Sequence, residues 1–487
     1  MTLGELFEGI TDIPEKLRNI AVAGVTSDTR EMQSGYLFVC IKGESFDGHN
    51  AAAEMLAKGA CAVVTQHPLG LENEITVHDT RRLYPELLSA FRGRPTRKIK
   101  LGAVTGTNGK TTTVNLCAQI TRALGHKTGV IGTLGTDTGD GLKYSHGGPP
   151  TTPEPAKLYS LFAEMAEKGT EYCFIEASSQ ALAQHRFAAE HFETAAFTNL
   201  TRDHLDYHKT MENYYIAKRS LFDMCGAAVV NIDDEHGART AEYCREKGIP
   251  CRTVSVYGTA DYYTECVKLL PHGAEFILTD KAAGKSYPVH FGMTGYYNVC
   301  NAVEAVVMCA QLGFELDECI SALERIRGVS GRLETIYSGD FTVIRDYAHT
   351  DDGLDKVLAG LRPLTKGRLI CLFGAAGERD AGKRPDMGKA AARYADYIFV
   401  TADNPRFEPV EQTINGVVKG IPDSVPHEEF IDRREAIAAA LAMARKGDVI
   451  ALCGKGHEDY QAINGVDYPF DEREIVLEWL RENKVTI

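Results

Sequence analysis

Short, unbroken apolar runs recur along this chain, most of them followed by a stretch of helical period. GYLFVCIKG (35–43) predicts a strand, AAAEMLAKGA (51–60) a helix and CAVVTQ (61–66) the next strand, a small βαβ-type unit. FRGRPTRKIK (91–100), basic and holding Gly and Pro, breaks the pattern and marks a domain boundary. LGAVT (101–105) then runs through a Gly-containing loop into a helix of period near 3.6. EYCFIEAS (171–178), TAAFTNL (194–200) and AAVVNID (227–233) repeat the strand signal. Continuous apolar character belongs to parallel strands buried on both faces, and helical segments between them predict a doubly wound sheet.

From about residue 331 the pattern restarts. FTVIRDYA, RLICLFG, ADYIFVTAD and DVIALCGKG predict four strands, separated by helical segments such as GLDKVLAGL and REAIAAALAMARK. There is no short internal repeat and no low-complexity segment. The expected architecture is α/β, with three domains in tandem at 1–98, 99–330 and 331–487. A length of 487 residues agrees with roughly 150 residues per domain.

Composition removes several function classes. Lys plus Arg is 53 and Asp plus Glu 67, a formal charge of −14, which disfavours a general nucleic-acid binder. MTLGELFEGITDIPEKL is acidic where a signal peptide is basic, and no run approaches the roughly 20 apolar residues of a membrane span. Thirteen cysteines, with no C-x-x-C pair and several in apolar runs, predict buried reduced thiols and a cytoplasmic protein.

The chemistry begins at Gly106-Thr107-Asn108-Gly109-Lys110-Thr111-Thr112, between strand and helix. A nucleoside triphosphate needs backbone N–H groups at close approach, a cation on the β/γ-phosphates and a hydroxyl for Mg²⁺. The glycines, Lys110 and Thr111 supply these, and the helix amino terminus adds its dipole. The first loop glycine is Gly106, since Val occupies 104, so the loop is shorter than G-x-x-x-x-G-K-[ST]. Glu176, at the end of an apolar run, sits where a strand's carboxyl end would offer Mg²⁺ an oxygen ligand. The His204-x-x-x-His208 pair does not argue for zinc, because triphosphate chemistry prefers Mg²⁺ and oxygen ligands.

TGTNGKTT, EASSQAL (176–182), TNLTRDHLDYH (198–208), YYNVCNA (296–302), GRLE (331–334), DYAHT (346–350), FGAAGERDAGKRPDMG (373–388), DNPR (403–406) and GKGHEDYQ (454–461) together resemble the Mur ligases over essentially the whole chain. The nearest resemblance is to members that add the third amino acid of the cell-wall peptide precursor. It implies an N-terminal UDP-sugar-binding α/β domain, a central P-loop ATPase domain with a mostly parallel sheet, and a Rossmann-like C-terminal domain for the amino acid. It also implies the reaction: ATP phosphorylates a peptide carboxylate, and an amine attacks the acyl phosphate to give an amide, ADP and phosphate. On residues alone Lys218, in YIAKRSLF, reads as a solvated helix lysine; the resemblance makes it a carbamylated Mg²⁺ ligand beside Thr111 and Glu176. Asn298, Arg332 and Asp346 become nucleotide contacts, so the domains would have to close before the site is complete.

The same match assigns UDP-N-acetylmuramoyl-L-alanyl-D-glutamate to Thr29, Thr151, Thr152, Ser178, Gln184 and Arg186. It assigns meso-diaminopimelate to Arg379, Asp403, Asn404, Pro405, Arg406, Gly454 and Glu458. Arg406 could hold the distal carboxylate through paired hydrogen bonds, which lysine as substrate could not use. A monomer is expected. The chain departs from the family pattern at Thr29 (Ser elsewhere), Pro150 (Asn), Gln180 (His) and Asp351 (Pro). Open alternatives are a paralogue taking a related acidic peptide or L-lysine, a folylpolyglutamate-synthase-like ligase, and a non-catalytic nucleotide-binding scaffold.

Overall fold

The computed structural model describes residues 1–43, 45–143 and 151–485; Pro150 lies outside them. The first sheet has four parallel strands in chain order: Gly24–Thr26, Tyr36–Val39, Ala62–Thr65 and Glu74–Thr76. The helix Ala52–Ala57 connects two of them, the βαβ-type unit expected from the apolar runs. A further helix, Thr80–Phe91, is capped by the Asp79 carboxylate on the Arg82 N–H.

Among the described residues, eleven strands form the central sheet. Its middle is parallel, running from Tyr262–Leu270 through Cys251–Ser255, Ala228–Asn231, Thr194–Phe197, Lys100–Thr105 and Tyr172–Glu176 to Thr128–Gly132. Antiparallel strands extend both edges, Gly273–Asp280 and Lys285–Phe291 on one side, Gly135–Asp137 and Leu142–Lys143 on the other. The helices Lys110–Ala123 and Tyr296–Gln311 cover one face and share a core holding Val104, Val114, Phe174, Val303 and Val307. On the other face Ala103, Cys173, Ile175 and Phe197 belong to a core that continues into the first unit through Leu37, Val64 and Leu87.

The third sheet has six strands, ordered Glu334–Ser338, Thr342–Asp346, Val449–Cys453, Leu369–Phe373, Tyr397–Thr401 and His427–Phe430; the first pair is antiparallel and the rest parallel. All thirteen cysteines are free thiols, ten of them buried. Among the described residues no helix is long and apolar enough to cross a membrane.

Candidate active site

Parallel sheets bring their strand ends, and the loops leaving them, to one edge. The loop after Lys100–Thr105 carries Gly106 to Gly109, Glu176 ends its strand, and Asp346 ends another. Asp403 lies two residues past Thr401, and Gly454 directly follows Cys453. The central and C-terminal edges face each other across a cleft of about 820 Å³, lined among others by Lys110, Glu176, Arg332, Asp346, Arg406 and Glu458.

The phosphate loop is tightly built. Gly106 (φ 151°) and Gly109 (φ 91°) adopt backbone that favours glycine, and a Cβ would meet Thr198 Oγ1 at 1.9 Å and Asn301 Oδ1 at 2.5 Å, respectively. Gly109 stands at the N-cap of Lys110–Ala123 with no side-chain cap, leaving helix-end N–H groups for a ligand. Lys110 Nζ donates to the carbonyls of Gly106 (2.8 Å) and Thr107 (2.9 Å). Burial lowers its pKa, against the opposing pull of Glu176 and Asp203. Thr111 Oγ1 donates to Glu176 Oε2 at 3.0 Å, and Thr133 donates to the same carboxylate through N–H (2.7 Å) and hydroxyl (3.1 Å).

Lys218 is only 1% exposed, so the solvated lysine read from the residues alone is corrected. Its Nζ donates to Gly106 O at 2.6 Å from beneath the loop and lies 4.5 Å from the centre of the Tyr214 ring. Desolvation drives its pKa well below the ordinary lysine value, and Lys110 pushes it further the same way. His208 Nε2 pairs with Ser179 Oγ at 2.9 Å. No group of three His, Cys, Asp or Glu residues able to hold a metal ion occurs among the described residues. Thr111 and Glu176 nevertheless suit Mg²⁺, which ordinarily takes one or two carboxylates, waters and substrate phosphates rather than an all-protein cage.

From the C-terminal unit, Arg332 Nη2 donates to Thr111 Oγ1 at 2.9 Å while its guanidinium covers the Tyr347 ring at 4.7 Å. Asp346 accepts from the N–H groups of Leu333 (2.7 Å) and Ala348 (2.8 Å), holding the loop that carries Arg332. Burial raises its pKa, partly offset by Arg332. Asn298 donates to Thr294 O at 2.9 Å at the start of Tyr296–Gln311.

The DNPR and GKGHE loops interlock. Asn404 Nδ2 donates to Glu458 Oε2 at 2.9 Å, and Asp403 Oδ2 is buried without a partner, 2.6 Å from where a Cβ on Gly454 would lie. Arg406 takes left-handed backbone (φ 56°), pinned by N–H to Ala462 O (2.9 Å) and by Asn464 N–H to its carbonyl (2.7 Å). Arg379 is exposed at the cleft wall, and Pro405 is buried.

The residues that the resemblance assigns to the UDP-peptide form a second network. Thr152 Oγ1 donates to Glu176 O (2.6 Å) and accepts from Ser178 N–H (3.1 Å). Arg186 donates to Thr152 O (2.6 Å) and Gln184 Oε1 (2.8 Å) and pairs with Glu154. Thr151 lines the cleft with Thr112. Thr29 stands apart, beside the Asp28–Arg30 ion pair in the first unit, and does not line the cleft.

Three residues missed from sequence belong to this architecture. Lys455, fully buried, donates to Asn404 Oδ1 (3.1 Å) and Glu458 Oε2 (2.9 Å). Thr133 holds Glu176, and His457 reaches Thr133 O at 3.2 Å. Lys455 and His457 could have been flagged, since both lie inside GKGHE; Thr133 gave no signal.

Comparison with known proteins agrees with this geometry. Residues 21–92 match the model "Mur ligase family, catalytic domain", 104–309 "Mur ligase middle domain" and 331–456 "Mur ligase, glutamate ligase domain". A UDP-N-acetylmuramoyl-L-alanyl-D-glutamate--2,6-diaminopimelate ligase of Syntrophomonas wolfei is 39% identical over 99% of both chains. One from Clostridium acetobutylicum, numbered 1, is 40% identical over 95% of this chain and 96% of its own. A solved structure bearing the same enzyme name superposes with a TM-score of 0.74 at 32% identity, covering 100% of each chain. Identity of this order over the full length, on a fold whose phosphate loop faces a C-terminal arginine, makes the chain a member of the Mur ligase family.

Proposed function

We propose that this chain is an ATP-dependent acid–amino-acid ligase of peptidoglycan precursor synthesis in the cytoplasm. It joins meso-2,6-diaminopimelate to UDP-N-acetylmuramoyl-L-alanyl-D-glutamate and releases ADP and phosphate. The full-length relatives carry that name, and the observation that bears most weight is the single cleft lined by both the phosphate loop and the DNPR and GKGHE residues. In this reading residues 1–98 hold the UDP-sugar end, 99–330 the ATP and 331–487 the incoming amino acid, in a monomer.

A carboxylate is a poor acyl donor, because its charge repels nucleophiles and oxide is a bad leaving group. Phosphorylation removes both obstacles, and phosphoryl transfer depends chiefly on alignment and charge neutralisation. Lys110 and the N–H groups from Gly109 onward neutralise the phosphates, while Arg332 brings a second cation from the opposite wall. Bound Mg²⁺, held by Thr111, Glu176 and a carbamylated Lys218, would supply further charge neutralisation for the phosphoryl oxygens. The acceptor carboxylate then lies toward Thr151, Thr152, Ser178 and Arg186, and the amine approaches from Asp403, Asn404 and Glu458. Arg406 grips the distal carboxylate, which is why diaminopimelate is favoured over L-lysine.

The test supplies UDP-N-acetylmuramoyl-L-alanyl-D-glutamate and ATP and compares ADP release with meso-diaminopimelate and with L-lysine. Diaminopimelate is expected to be strongly preferred. Arg406→Ala should cost it roughly a hundredfold in kcat/KM, the value of a charge-assisted pair at about 2–3 kcal/mol. Equal use of both amino acids by the native chain would remove Arg406 as selector, and no amine-dependent ADP release would remove the ligase.

A further inference from the structure

His457 sits between Gly454 and Glu458, on the loop that closes the amino-acid side of the cleft, yet its ring points across the domain boundary. Its Nε2 lies 3.2 Å from the carbonyl oxygen of Thr133, which follows the central strand Thr128–Gly132. A carbonyl only accepts, so Nε2 carries the hydrogen and donates. Nδ1 is then a bare acceptor, buried and without a partner. The ring is held in place by Tyr347, 5.0 Å away between centroids.

Thr133 turns its remaining polar groups toward Glu176, and its hydroxyl also reaches Thr151 Oγ1 at 3.3 Å. Its N–H and hydroxyl both donate to the Glu176 carboxylate, at 2.7 and 3.1 Å. The backbone of the turn packs directly against that carboxylate: a Cβ on Gly132 would lie 2.2 Å from Glu176 Oε1, so only glycine fits there. A second route from the C-terminal unit reaches the same carboxylate: Arg332 donates to Thr111 Oγ1 at 2.9 Å, and Thr111 donates to Glu176 Oε2 at 3.0 Å. The two routes meet again at Tyr347, which lies under Arg332, against His457, and within 3.4 Å of Glu458 through its hydroxyl.

We propose that His457 is a positioning residue through which the amino-acid-binding loop fixes the Glu176 carboxylate, by anchoring the carbonyl of Thr133. The idea rests on the ligase reading above and adds a coupling to it. When the GKGHE loop is seated, Thr133 is held from both sides and Glu176 is aimed at the phosphate loop. When that loop is displaced, the Thr133 carbonyl loses its donor and the turn is free to move. Phosphoryl transfer is thereby favoured once the amino-acid side is in place, which limits hydrolysis of an acyl phosphate that has no amine to meet.

The experiment uses the full chain with His457→Phe, which keeps the bulk and removes the donor, and His457→Gln, whose amide nitrogen reaches the Nε2 position. Three quantities are read: steady-state constants, hydrogen exchange at the Thr133 amide without substrates, and melting temperature. Phe is expected to lower kcat about tenfold with little change in KM for ATP, the loss of roughly one neutral hydrogen bond in the reacting state. It should also speed exchange at Thr133 at an unchanged melting temperature, and Gln should recover part of both effects. Thr133→Val should cost less in the Phe background than alone, because both act on one carboxylate. Equal losses in Phe and Gln, unchanged exchange at Thr133, or additive costs would each overturn the proposal. Should the Phe variant fail to fold, Gln is compared with Asn, which cannot reach the carbonyl; Gln above Asn supports the anchor and equality overturns it. A native chain that releases no ADP in response to amine would instead defeat the ligase reading, leaving the exchange measurement to judge His457 independently.

Discussion

A lysine amine 1% exposed, 2.6 Å from a carbonyl and with no carboxylate salt bridge among the described residues, sits where burial works against its charged form. Neutral amines add CO₂ and ammonium ions do not, so the environment that lowers the Lys218 pKa also favours the carbamate. Incubation with ¹³C-bicarbonate should give a carbamate carbon resonance that disappears in Lys218→Arg, with ADP release falling by about 10²-fold or more as an oxygen ligand is lost. A silent spectrum in the active native enzyme would leave Lys218 as a loop anchor only. Sequence alone did not expose this burial, since one lysine on the short helix Met211–Arg219 reads as a solvated charge. Lys110, Thr111 and Glu176 were legible because strand, loop and helix fix their places locally. Thr133 was not, because its value lies in a carboxylate 43 residues away. The Asp351 departure is structurally mild: it occupies the first turn of Asp351–Leu361, where an acidic residue is as welcome as proline.

Elements buried on both faces announced themselves through unbroken apolar runs, and these became Lys100–Thr105, Tyr172–Glu176, Leu369–Phe373 and Val449–Cys453. The strands from Tyr262 to Phe291 did not, since they are partly solvated and carry charges such as Glu265, Lys268 and Glu275. One element junction has a cost that can be measured. Arg433, at the start of Arg433–Met443, is fully buried against Glu472 at 2.7 Å and also donates to Ala402 O (3.1 Å) and Cys453 O (2.8 Å). Those carbonyls immediately precede Asp403 and Gly454, so one guanidinium ties together the two strand ends that carry these cleft residues. Glu472→Gln leaves a buried cation short of its counter-charge and should destabilise the fold by about 3–5 kcal/mol in urea unfolding. The apolar double variant R433M/E472M removes both charges yet strands two carbonyls, so it should remain about 1–3 kcal/mol below the native protein. Its KM for the amino acid should rise more than its KM for ATP. A double variant as stable as the native chain would show that the carbonyl contacts contribute nothing.

At the scale of the whole molecule, the site exists only because two sheets present their carboxyl edges to each other, and residues more than two hundred positions apart join them. Pattern reading located each edge but not their docking, since no local signal pairs Asn108 with Asp352. In the structure Asn108 Nδ2 and Thr201 Oγ1 donate to Asp352 Oδ2 at 2.8 and 3.2 Å, and Lys356 reaches the same oxygen at 2.9 Å. Asp352 therefore ties the phosphate loop to the C-terminal helix Asp351–Leu361 from outside the reacting centre. Asp352→Ala removes the acceptor shared by three donors and leaves Lys356 unpaired, which weakens docking without touching either sheet. The expected result is a larger radius of gyration by solution scattering and a KM for ATP raised about fivefold, close to 1 kcal/mol for one partly exposed polar junction. The melting temperature of each unit should hardly move, because none of the joined side chains, Asn108, Thr201 and Asp352, belongs to the apolar core of either unit. If the radius is unchanged while activity falls, Asp352 acts on the loop locally, and docking is carried by Arg332 and His457 instead.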